Sequence, residues 1–140
     1  MFKYDIITKP NFEIDKNIIH IIFKIIENIN IIQKILNIIF VNEEDIKELN
    51  NNYRQKDYIT DVLSFHYYEK FDILKEDEIA ELVFCESKII SQVEFLGTQK
   101  EFYKLLIHSI LHIIYDHETD EDYKNMKEKE ELIWNLVFNK

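Results

Sequence analysis

Three of the chain's five histidines, His108, His112 and His117, fall within ten residues in LLIHSILHIIYDHETD. Neutral imidazole is the commonest nitrogen ligand of zinc, and three protein ligands with one open position mark a catalytic zinc site rather than a structural one. His108 and His112 are four apart in an apolar run with helical character, so they project about 40° apart on one face, close enough to share an ion. At nine residues from His108, His117 would sit about 180° around the axis if the helix continued. A shared site therefore requires the helix to end between His112 and His117. Tyr115-Asp116 supplies a stop, since Asp tolerates turns and can cap the next segment. In the protease pattern H-E-x-x-H the residue after the first His is the general base. Here it is Ser109, which argues against that class. The ordinary alternative, polar positions beside a core helix, suits a lone histidine better than a constellation of three.

Other residues carry less chemistry. Asp116 and Glu118 could orient a ligand imidazole from behind or serve as helix caps. The acidic run Glu118–Asp122 suits the positive end of a helix dipole. Cys85, in an apolar strand, reads as buried. His66 reads as structural or solvent-facing, and His20, among isoleucines, has no functional role.

Positioning these groups falls to a predicted order βαβαββααα. Tyr4–Ile7 reads as a short edge strand closed by Pro10. Asp15 caps a helix with an isoleucine stripe at 18, 19, 22, 25, 26 and 29. Lys34–Val41 reads as a strand, and Asn42 followed by Glu43-Glu44-Asp45 opens a helix to about Asn51. Asp61–Tyr68 and Ile79–Cys85 read as strands. Glu86 opens a short helix to about Val93, and Thr98 caps a long apolar helix through His112. The last helix spans about Asp120–Phe138. The fold class expected is α+β, a single domain over residues 1–140 with a small mixed sheet packed by about five helices.

Composition sets limits. At 46% hydrophobic, 140 residues can bury a core without staples. One cysteine excludes an internal disulfide framework and suits a reducing compartment. No signal peptide is recognised, and residues 18–41, the longest apolar stretch, are interrupted too often for a membrane span. A soluble, cytoplasmic protein is expected. The net charge of −10 argues against general nucleic-acid coating but not against a local site. One glycine and one proline, with abundant Ile, Asn, Lys and Tyr, point to a compositional bias of the source genome.

The stretch HSILHIIYDHETDEDYKNM resembles the signature of the bacterial YbeY endoribonucleases, H-G-x-L-H-L-x-G-Y-D-H followed by an acidic segment and a Met. LNNNYRQKDYITDVLSF resembles the family's L-N-x-x-Y-R-x-K-D-x-x-T-D-V-L-S-F. AELVFCES is similar, more weakly, to its Gly-Asp-Ile strand. Together these blocks extend from about Leu49 to Leu132.

The resemblance implies a zinc-dependent single-strand endoribonuclease, with one ion per chain. It would mature ribosomal RNA, notably the small-subunit 3′ end, and take part in ribosome quality control. The implied partners are ribosomal RNA and the small ribosomal subunit, with no membrane and no DNA. His108, His112 and His117 become the implied metal ligands. Arg54 becomes an implied catalytic residue that holds a phosphate or offsets charge developing on phosphorus. This chain departs from the pattern in having four residues, not five, between the second and third histidines. It has Ser109 where the family has Gly, and no Gly before Tyr115-Asp116. A glycine would ease a sharp turn there; without it the loop needs another route. Two rivals stand beside this reading: a catalytically weak ribosome-assembly factor with a degraded metal site, and a metal hydrolase of a non-RNA substrate.

Overall fold

Apolar residues alternate along the strands and recur at helical spacing between them, and the two periods build a layered α+β structure. The computed structural model describes residues 3–29, 35–66, 79–92, 97–114 and 119–139. Four strands, β1 (Lys3–Ile6), β2 (Ile35–Val41), β3 (Val62–His66) and β4 (Ile79–Cys85), form one mixed sheet in the order β1-β2-β4-β3. β1 and β4 both run parallel to β2, and β3 closes the other edge antiparallel to β4. Five helices accompany them among the described residues: α1 (Lys16–Ile29), α2 (Glu43–Arg54), α3 (Glu86–Ser91), α4 (Thr98–Ile114) and α5 (Asp120–Phe138). The expected α+β class, small mixed sheet and element order are all present.

Strand alternation divides the core between the two faces of the sheet. Leu36, Ile38 and Phe40 of β2, with Ala80, Leu82 and Phe84 of β4, join the larger cluster with α1, α4 and α5. Val83 and Cys85 face the other way, with Leu63 and Ile46 of α2. Cys85 is buried, as its strand setting implied.

The helix on which the metal reading depends is fixed from several directions. Phe102 of α4 meets Phe40 and Phe84 with ring centroids 5.3 and 5.2 Å away, locking α4 onto the sheet. Such aromatic pairs contribute about 0.5–1.5 kcal/mol each beyond their burial. The Tyr103 hydroxyl accepts the backbone N–H of Asp15 at 2.8 Å, joining α4 to the start of α1. Asp15 itself accepts from the N–H of Asn17, the capping role its position predicted.

Three local expectations shift. Thr98 is the first residue of α4 rather than its cap; Gly97 precedes it at φ +80°, and its carbonyl accepts from Glu101. α2 runs three residues past Asn51, because Asn50 is fully buried and its side-chain amide donates to the Tyr58 carbonyl. That bond ties the segment beyond α2 back onto the helix, which ends in a left-handed Gln55. The predicted strand Asp61–Tyr68 is observed as Val62–His66, and its last two residues lie outside the described set.

Candidate metal centre

α4 buries Phe102, Tyr103, Leu106, Ile107, Ile110 and Leu111, a stripe that sets how the remaining positions face. His108 and His112 lie on the border of that stripe. Their rings are edge to face with centroids 4.2 Å apart, and the His108 side chain is 44% exposed. Two nitrogen ligands at about 2.0–2.1 Å from a tetrahedral zinc lie about 3.3 Å from each other. Two adjacent imidazoles on one helix face, one of them nearly half exposed, are the donor type such an ion takes.

Ser109, between the two histidines in sequence, is buried, and its hydroxyl donates to the Leu105 carbonyl at 2.8 Å. Position 109 lies in mid-helix, so the serine that replaces the family's glycine there interferes with no turn. Its polar group is satisfied by the preceding helical turn.

α4 ends at Ile114, and Thr119 is in extended backbone (φ −114°, ψ 162°), so the chain leaves the helix before α5 begins. His117, with Asp116 and Glu118, lies outside the described residues. Among the described residues no three His, Cys, Asp or Glu side chains are grouped to hold one ion.

α5 opens with a reciprocal capping box. The Thr119 hydroxyl accepts from the N–H of Asp122, and the Asp122 carboxylate accepts from the N–H of Thr119. Met126 and Ile133 of this helix are buried in the larger core cluster shared with α1 and α4, and the helix brings the Glu130 carboxylate to Nδ1 of His108.

Beneath His108 a cavity of about 120 Å³ is lined by Glu130, Lys104 and Glu101, with Asp61 and Gln92 on the sheet-edge side. Gln92 Nε2 donates to Asp61 Oδ2 at 3.3 Å, and the Asp61 carbonyl accepts from the N–H of Cys85. Asp61 and Glu130 were absent from the predicted site. The first lies within the ITDVLSF block, and the second interrupts the Met126–Ile133 apolar stripe; those were the available signals.

Arg54 is the last residue of α2, with an exposed side chain. α2 packs on the sheet face opposite α4. The described contacts thus bring His108 and His112 together and do not join Arg54 to them. His66 ends β3, and its side chain is outside the described set. His20 is exposed on α1.

Comparison with known proteins agrees with this architecture. Residues 4–137 match the family model Endoribonuclease YbeY. The Endoribonuclease YbeY of Fusobacterium nucleatum is 38% identical over 103 residues, covering 70% of this chain and 64% of that protein. The Clostridioides difficile protein of the same name is 38% identical over 105 residues, covering 70% of this chain and 68% of its own. The chain thus spans about two thirds of the length of these relatives. The solution structure of a Thermotoga maritima protein superposes with a TM-score of 0.61 at 28% identity, covering 99% of this chain and 90% of that one. By the match over nearly its whole length and by these relatives, the chain belongs to the Endoribonuclease YbeY family.

Proposed function

We propose that this protein is a zinc-dependent endoribonuclease that cleaves single-stranded ribosomal RNA in the cytoplasm. Its proposed tasks are maturation of the small-subunit 3′ end and ribosome quality control, with the small ribosomal subunit as partner. The observation that carries the reading is the adjacent His108–His112 pair on α4 in a chain of this family. His108, His112 and His117 hold the ion in this proposal. When bound, zinc supplies Lewis acidity toward a phosphate oxygen and a means of activating water at neutral pH.

The chain's own cations do the rest. Arg54 presents a planar fork of donors that matches two phosphate oxygens. Its exposed position on α2 leaves it accessible to an RNA strand. Lys104 lines the cavity beside His108 and would add positive charge toward a phosphate held at the ion.

Elemental analysis of purified protein should give close to one zinc per chain. A single-stranded RNA covering the small-subunit 3′ end should be cleaved, and His112→Ala and Arg54→Ala should each abolish cleavage. A protein that takes up no zinc, or cleavage unchanged in both variants, would overturn the proposal.

A further inference from the structure

Glu130 stands where a carboxylate has no packing reason to be. Met126, four residues earlier, and Ile133, three later, are both buried, and helical spacing puts all three on one core-facing side of α5. Partial removal of a carboxylate from water is costly without a partner, and the Glu130 side chain keeps only 25% of its exposure. Its partner is Nδ1 of His108, 22 residues away in sequence. An ionised carboxylate can only accept, so the imidazole donates from Nδ1. In a neutral ring that leaves Nε2 as the sole nitrogen with a free lone pair.

We propose that Glu130 is a positioning residue that holds His108 in the Nδ1–H form and presents Nε2 as the donor to zinc. The proposal rests on the zinc-dependent function proposed for this protein and deepens it. A carboxylate behind a ligand imidazole fixes its tautomer and orientation and raises its basicity, and losing such a partner typically weakens metal affinity about 10–100-fold. The apolar stripe supplies the contrasting expectation. If Glu130 served only packing, leucine at the same place would improve the α4–α5 contact and leave the ring unaffected.

Two variants of the full chain separate these readings. Glu130→Leu completes the stripe and removes the acceptor; Glu130→Gln keeps an acceptor oxygen without the charge. In zinc-free protein at a pH where the ring is neutral, long-range ¹⁵N–¹H correlation spectra should show His108 as the Nδ1–H form in wild type and Glu130→Gln. In Glu130→Leu it should revert to the Nε2–H form that an unconstrained imidazole prefers. Competition with a chromophoric chelator should show zinc affinity lowered about 10–100-fold in Glu130→Leu, and less in Glu130→Gln, while Glu130→Leu melts no lower than wild type. An Nε2–H ring in wild type, or zinc affinity equal in wild type and Glu130→Leu, would overturn the proposal. A wild-type chain that binds no zinc sinks the proposed function together with the affinity arm. The tautomer, read without metal, then decides whether Glu130 fixes the ring.

Discussion

Tyr103 shows how a single buried group joins the metal-bearing helix to the rest of the fold. Burial pushes its phenol above the ordinary value of 10.0; the N–H of Asp15 opposes the shift, and the Asp15 carboxylate adds to it. A phenol whose folded-state pKa is raised contributes stability that is fully present below the unfolded value, near 10, and lost as pH climbs through the folded value. Thermal or urea unfolding from about pH 9 to about pH 11.5 should therefore show a decline that Tyr103→Phe reduces. At neutral pH the same variant should lose about 0.5–1.5 kcal/mol, the usual worth of a hydrogen bond such as that to Asp15. A decline equally steep in the variant would remove Tyr103 as its source. Residues of this kind show why the histidine pair was legible and its surroundings were not. His108 and His112 are joined by helical periodicity alone. Asp61 and Glu130 reach the same cavity only through tertiary packing, with hydrogen-bond partners 31 and 22 residues away.

At the scale of elements, periodicity and caps decide what can be read in advance. The Asp15 and Asn42 caps, the isoleucine stripe of α1 and the acidic first turn of α2 define segments locally, and those segments appear where expected. Strand order is different: nothing local to β3 says that it pairs antiparallel with β4 at an edge while β4 lies beside β2. The end of α2 was misplaced for the same reason, since three consecutive asparagines favour termination until Asn50 is buried against Tyr58. α5 offers a test at this scale, because its start determines where Glu130 falls. Thr119→Ala removes one half of the capping box and should cost about 1 kcal/mol, measured by denaturant unfolding. Since burial of Met126 and Ile133 in the core anchors α5 independently of its cap, His108 should keep its Glu130 partner, visible as an unchanged ring tautomer. Loss of that tautomer in Thr119→Ala would mean that the cap, not the packing, sets the register of α5.

Across the whole molecule, a net charge of −10 must coexist with a proposed polyanionic substrate. Electrostatic attraction normally dominates RNA affinity, through counterions released as Lys and Arg neutralise phosphates. The cations invoked for the substrate are few: Lys104 in the cavity beside His108, and Arg54 at the end of α2. Each phosphate contact on a single strand contributes about −0.7 to the slope of log K against log salt, so two such contacts give about −1.4. The acidic remainder acts in the opposite sense, repelling the strand until salt screens it over a Debye length of about 10 Å at 0.1 M. Together these terms predict a slope between about 0 and −2, with an association rate that rises as salt is first added. Fluorescence anisotropy of a labelled single-stranded RNA, on a variant that binds but does not cleave, measures both quantities. A slope steeper than about −4 would require roughly six phosphate contacts. That many would point to a basic surface beyond Arg54 and Lys104, and the RNA would then be held mainly away from the metal centre rather than at it.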